Sequence, residues 1–183
     1  SPVAVSGSNT WDSSTGLSSG SGSGSSSTSS FAYANNKVSA GNQHTCAILD
    51  NGDLKCWGYD YFGQLGDGGS NTDVYDPPST AIDLGAGRTA VAVSAGMSHT
   101  CAILDNGDLK CWGRDNNGQL GDGGSSADTN EPSSTAIDFG TGRTAVAVSA
   151  GDYHTCAILD NGDLKCWGHD YYGQLGNGGS SNT

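Results

Sequence analysis

A chain of 183 residues is long enough to bury one core of its own. Its 30 Gly, its abundant Ser and Thr and its single Met favour short strands and turns over helices. The formal charge of −12 argues against nucleic acid and anionic membranes, which bind through clustered Lys and Arg. No run of about 18 apolar residues reads as a membrane span.

Residues 1–34 form an arm that precedes the regular part of the chain. Pro2-Val3-Ala4-Val5-Ser6-Gly7 alternates like a strand (residues 2–7). Residues 18–30 are almost pure Ser and Gly, a linker composition that also permits O-glycosylation. Phe31 and Tyr33 restore apolar contacts before Val38. A chain that opens at Ser1 with no apolar leader reads as the mature product of a cleaved signal peptide.

From residue 35 to 183 the sequence repeats. His-Thr-Cys-Ala-Ile-Leu-Asp-Asn-Gly-Asp-Leu-Lys-Cys-Trp-Gly occurs unchanged at His44–Gly58, His99–Gly113 and His154–Gly168, a period of 55 residues. A strict period near fifty marks units that must stack to bury their apolar faces. The repeats span about 38–88, 89–143 and 144–183, the last one truncated.

Each phrase reads as a β-hairpin. Asp50-Asn51-Gly52 suits a three-residue loop, a type I turn closed by a left-handed Gly. That loop sets Leu49 opposite Asp53, Ile48 opposite Leu54, Ala47 opposite Lys55 and Cys46 opposite Cys56. Alternation places Cys46, Ile48, Leu54 and Cys56 on one apolar face, expected to point at the neighbouring unit. Ala47, Leu49, Asp53 and Lys55 share the other face, with Trp57 on the same parity.

One full unit holds four predicted strands: Thr89–Ser94, His99–Leu104, Asp108–Trp112 and Ser134–Asp138. Four antiparallel strands per unit is a propeller-blade pattern. The long loops at Gly58–Pro78 and Gly113–Pro132 carry Asp60, Asp67, Asp73 and Asp76, then Asp115, Asp122, Asp128 and Glu131. Such loops can hold Ca²⁺, yet none follows the calcium-loop pattern, so solvated turns are the main reading. No other cofactor is expected. Gly63-Gln64-Leu65-Gly66 and its two copies read as tight turns between blades, since no Lys or helix follows to make a phosphate cradle. Tyr59, Tyr61, Phe62, Tyr171 and Tyr172 decorate the preceding loops. They are candidates for contact with sugars or partner side chains, with interblade packing as the competing role.

The six cysteines, Cys46, Cys56, Cys101, Cys111, Cys156 and Cys166, fall in three cross-strand pairs. Ten-residue spacing without any CxxC fits zinc poorly, though Cys46, Cys56 and His44 would supply three ligands. Disulfides are the favoured reading, and with them an extracellular or cell-surface address. His44, His99 and His154 recur identically, as a folding motif does; catalysis needs one asymmetric constellation. No enzymatic activity is expected.

The combined motif is Val-Ser-Ala-Gly, His-Thr-Cys-Ala-Ile-Leu, Asn-Gly-Asp, Cys-Trp-Gly and Gly-Gln-Leu-Gly. It resembles the regulator of chromosome condensation repeat family over residues 38–183. That resemblance implies an all-β propeller, usually of seven blades, and a role as a protein-binding scaffold. Three repeats cannot close such a ring, and the third stops before the counterpart of Ser134–Asp138. The expected architecture is an open arc of four-stranded blades, completed by a neighbouring subunit. Val3, Ala4 and Val5 of one molecule would complete the last blade of another, building an extracellular filament head to tail. The alternatives are a secreted protein-binding propeller or a fragment of a longer one, with glycans as further partners.

Overall fold

The computed structural model describes residues 37–69, 72–123 and 127–180. The arm at 1–34, with its strand at 2–7, its tract at 18–30 and the assembly strand Val3-Ala4-Val5, lies outside them. Nine strands occur among the described residues, in three separate antiparallel sheets. Sheet one is β1 (Val38–Ala40), β2 (His44–Ile48) and β3 (Leu54–Gly58). Sheet two is β4 (Ala90–Ala95), β5 (His99–Leu104) and β6 (Leu109–Gly113). Sheet three is β7 (Ala145–Ala150), β8 (His154–Leu159) and β9 (Leu164–Gly168).

The hairpins have the expected register. Cys46 faces Cys56, Ala47 faces Lys55 and Ile48 faces Leu54, and both later copies repeat this. Leu49 N–H donates to Asp53 O at 2.8 Å, and Gly52 closes the loop at φ 85°, the left-handed value that favours glycine. An Asn51 side chain that bonds Asp53 at both ends stiffens the turn. Cys46 and Cys56 then occupy a close cross-strand pair, Cα to Cα 4.1 Å, and are joined by a disulfide. Cys101–Cys111 and Cys156–Cys166 are joined in the same way.

The expected fourth strand is not formed. Val74 and Gly58 exchange two backbone hydrogen bonds, and Ile82 N–H reaches Leu54 O. Between those points β3 advances four residues while the loop advances eight, so the extra residues bow away from the ladder. Thr129 with Gly113, and Ile137 with Leu109, repeat the arrangement. Pro77 and Pro132 sit in the bowed stretch, where a residue without an N–H cannot extend a ladder. Each blade therefore has three strands, and the first and second carry an outer strap touching at two points.

A second departure lies in the first strand of the blade. The pairing shifts between Ala90 and Ala92, so Val91 is a bulge. The bulge puts Ala90 and Val93 together in the core shared with sheet one, while Ala92 joins the core shared with sheet three. Ala145 and Ala147 flank the same shift in sheet three.

Sheets stack face to face, one on two and two on three. The apolar face of sheet one, Cys46, Ile48, Leu54 and Cys56, packs on Val93, Ala102, Leu104 and Trp112 of sheet two. The corresponding face of sheet two, Cys101, Ile103, Leu109 and Cys111, packs on Ala145, Val148, Ala157 and Trp167 of sheet three. Sheet two is thus buried on both faces. Even Lys110 is buried, its ammonium donating to Leu84 O at 3.0 Å. The result is an open stack of three blades, each presenting a front to the blade before it and a back to the one after.

Candidate functional site: the seat between blades

Each junction is built around a Gly-Gln-Leu-Gly loop. Asp60, fully buried, accepts the N–H of Leu65 on Oδ1 at 2.9 Å, and Gln64 Oε1 accepts the N–H of Phe62 at 3.0 Å. These bonds turn the Gln64 carbonyl towards the next blade. There it accepts two hydrogen bonds, from Thr100 Oγ1 at 2.8 Å and from Trp112 Nε1 at 3.1 Å. Gly66, at φ 74°, lies under the indole, and a Cβ there would overlap the ring nitrogen.

His44 completes the seat. Its Nε2 lies 2.8 Å from Thr100 Oγ1. The threonine hydroxyl already donates its one hydrogen to Gln64 O, so it accepts from histidine. His44 is therefore the neutral Nε2–H tautomer, with Nδ1 buried and without a partner. Burial holds His44 down to about 4 and His99 down to about 3, the latter also pushed by its two neighbouring histidines.

The second junction copies the first. Gln119 O accepts from Thr155 Oγ1 and Trp167 Nε1, both at 2.9 Å, and His99 Nε2 lies 2.9 Å from Thr155 Oγ1. Near the inner strands, Ser39 Oγ accepts Ala95 N–H and Ser94 Oγ accepts Ala150 N–H. Asp60 and Asp115 are both raised to about 6, first by burial and then by two acidic neighbours, against the lowering effect of the Leu65 and Leu120 N–H bonds.

His44 and His99 share this structural placement, while His154 is half-buried and makes no such bond among the described residues. Sequence reasoning placed the Gly63-Gln64-Leu65-Gly66 turn between blades but not the bonds Gln64 makes there, and it missed Thr100 and Ser39 as junction residues. The available signal was that Gln64 does not change between copies although the loop residues before it do.

The aromatic residues singled out in the loops belong to one row that crosses the blades. Tyr59 stacks on Tyr61 at 6.3 Å, and Tyr61 meets Phe62 edge-on at 4.9 Å. The Arg114 guanidinium lies 4.6 Å from the Phe62 centroid and 5.9 Å from that of Tyr153. Tyr153 continues to His169, His169 to Tyr171, and Tyr171 to Tyr172. Tyr61, Tyr171 and Tyr172 are exposed. The sequence pointed to both ends of this row but not to its middle, Arg114 and Tyr153, which no pattern within one repeat connects.

Among the described residues no three His, Cys, Asp or Glu side chains are arranged to hold a metal ion. No helix among them is long and apolar enough to cross a membrane.

Stacked antiparallel blades joined by a repeated polar seat define a propeller-type repeat protein. The regulator of chromosome condensation (RCC1) repeat matches residues 51–103 and 106–158, and a second model of the same repeat matches 36–64, 90–119 and 145–174. The chain belongs to this family. It is 37% identical to the ultraviolet-B receptor UVR8 of Arabidopsis thaliana over 77% of its own length and 31% of that protein's. It is 36% identical to the E3 ubiquitin-protein ligase HERC2 of Homo sapiens over 75% of its length and 3% of that protein's. Among solved structures it superposes on Prp20p of Saccharomyces cerevisiae with a TM-score of 0.67 at 23% identity, covering 79% of this chain and 35% of that one. Human WBSCR16 gives 0.64 at 24% identity, covering 73% and 32%. The chain thus spans at most about a third of these proteins.

Proposed function

We propose that the chain is a non-enzymatic, protein-binding repeat module whose main partner is another set of blades like its own. In this reading it associates head to tail into an extracellular filament or surface appendage. The observation that carries the reading is the exposure of apolar side chains on the back of the third blade. Ile158 is 43% and Leu164 65% exposed, while Ile48, Ile103, Leu54 and Leu109 at the same positions are buried. Exposed apolar sheet faces of this kind mark interaction surfaces.

Three disulfides support an extracellular address, because such bonds persist in oxidising compartments. The relatives support binding as the general role, since Prp20p has binding properties to Gsp1p and histones. The contact would be made by face stacking of blades, or by donation of Val3-Ala4-Val5 of one copy to a blade edge of another. A heterologous contact of this type makes open fibres or closed rings according to its rotation. Sedimentation velocity of the 183-residue chain tests the reading. Concentration-dependent growth beyond the monomer is expected, and a single 18.4 kDa species at all concentrations would end it.

A second reading rests on the aromatic row. Tyr59, Tyr61, Phe62, Tyr171 and Tyr172 would stack on the rings of a bound glycan, as exposed aromatic faces do. Tyrosine fluorescence titrated with oligosaccharides reads it directly, and a Tyr61→Ala, Tyr171→Ala variant should lose the response.

A further inference from the structure

The strap that bows away from the first blade leaves a hollow beneath it, a cavity of about 300 Å³. Cys56, Leu65 and Ile82 line it, and all three are buried. The hairpin register turns the Cys56 carbonyl away from β2 and towards this space. That carbonyl accepts no hydrogen bond among the described residues, although Cys56 is only 2% exposed. The strap closes on β3 at Gly58–Val74 and at Leu54–Ile82, on either side of the hollow. No extended chain segment can run through it. What enters is a single side chain or a molecule of that size.

Three carboxylates complete the lining: Asp67, Asp83 and Glu131. Asp67 and Asp83 are each fixed by one oxygen, where Oδ1 accepts the N–H of Gly69 and of Gly85 at 2.8 Å. Glu131 comes from the strap of the second blade. Its neighbour Asn130 is tied to Gly68, accepting that N–H at 3.0 Å and donating from Nδ2 to the carbonyl at 2.9 Å. Among the described residues none of the three carboxylates is in an ion pair. Nor do they form a group arranged to hold a metal ion. Spread carboxylates, an unpaired buried carbonyl and apolar walls suit a larger cation, one with several donors on a hydrocarbon stem.

We propose that this cavity is a binding site for an arginine side chain of a partner protein. The guanidinium carries five N–H donors and no acceptor, which matches a lining of carboxylates and a carbonyl. It donates to the Cys56 carbonyl and to Asp67, Asp83 and Glu131, while its stem lies against Leu65 and Ile82. The site sits inside the stack, where the first and second blades meet, and uses neither outward face. It is therefore independent of the self-association reading. A similar hollow of about 350 Å³ lies under the second strap, lined by Cys111, Leu120 and Ile137. Lys110 also lines that one, and its ammonium opposes a second cation.

The test is proton–nitrogen NMR of the 183-residue chain titrated with the peptide acetyl-Gly-Arg-Gly-amide. The same peptide with citrulline in place of arginine supplies the neutral isostere. The amide signals of Cys56, Leu65, Gly68 and Ile82 should move and saturate with the arginine peptide. Those of Cys111, Leu120 and Ile137 should stay, and the citrulline peptide should move neither set. Glu131→Gln alters an exposed side chain, and unchanged circular dichroism confirms its fold. It should weaken arginine binding about tenfold, because one charged partner is lost. Asp138→Asn, in the second cavity, should leave binding unchanged. Shifts of equal size at both cavities, an equal response to citrulline, undiminished binding in Glu131→Gln, or no saturable shift at all would each overturn the site. None of these results bears on whether the chain associates with itself.

Discussion

Thr100 sits where one hydroxyl serves two buried partners, accepting from His44 and donating to Gln64 O. Replacing it with Val keeps the shape, strands His44 Nε2–H and leaves Gln64 O with the Trp112 bond alone, which should cost about 2–4 kcal/mol by urea unfolding. Thr155→Val should cost the same. Thr45→Val, at the front of the stack, should stay within about 0.5 kcal/mol in the monomer. Equal costs at all three positions would contradict the seat as described.

The buried titratable groups set an unusual pH dependence at the same scale. His44 and His99 stay neutral in the fold, at about 4 and about 3, against an ordinary 6.5. Their contribution is complete above 6.5 and is lost as pH falls below it, because the unfolded chain binds the extra protons. Asp60 and Asp115 go the other way, about 6 in the fold against 3.8. Their contribution is complete below 3.8 and is lost as pH rises through 6. Between about pH 4 and 6 two protons on each side oppose one another, so stability should be nearly flat. An Asp60→Asn, Asp115→Asn variant removes one side. Its stability should climb with pH across that window, by up to about 1.4 kcal/mol per pH unit for each histidine. A flat curve in the variant would show that the histidines titrate normally.

At the scale of the element, identical hairpins in different surroundings separate local from neighbour effects. Leu109→Ala in the doubly covered second blade should cost about 2–5 kcal/mol, with a cavity left behind. Leu164→Ala should cost well under about 1 kcal/mol, although its residue neighbours in sequence are the same. The disulfide works locally in every copy. A Cys101→Ala, Cys111→Ala chain should lose about 2–4 kcal/mol in thermal unfolding.

What could be read in advance divides along the same line. The hairpin register followed from Asp50-Asn51-Gly52 alone, because a loop of fixed length counts residues outward to Cys46 and Cys56. The cysteine pairs followed from that register. The fourth strand was misjudged because Ala136 and Ile137 do look like a strand. Whether they pair depends on how many residues the loop spends between Gly113 and Leu109, and that number is not written in any alternation. The Val91 bulge was hidden for a similar reason, since Ala-Val-Ala-Val alternates perfectly until the chain breaks it. The seat escaped because Thr100 and Gln64 lie 36 residues apart and meet only through stacking. The aromatic row was half legible: Tyr and Phe announce themselves in a loop, but Arg114 between Phe62 and Tyr153 is visible only in three dimensions.

At the scale of the molecule, stability is a sum of blades and the junctions between them, as in other repeat proteins. The stack has two internal junctions and two outward faces, so each added blade contributes a junction as well as itself. Net charge works against growth. Copies carrying −12 repel at long range, and salt screens that repulsion within about 10 Å at 0.1 M. Self-association driven by apolar faces and buried hydrogen bonds should therefore strengthen between roughly 20 and 300 mM salt. Weakening over that range would point to an ion-paired contact instead.

The most direct measurement is an electron-microscopy reconstruction of the associated chain that resolves the contact between copies. The account predicts blades of one copy stacked on blades of the next, with Ile158 and Leu164 covered at the contact. Copies joined back to back, through the aromatic row, or through loops that leave Ile158 and Leu164 in water would contradict it.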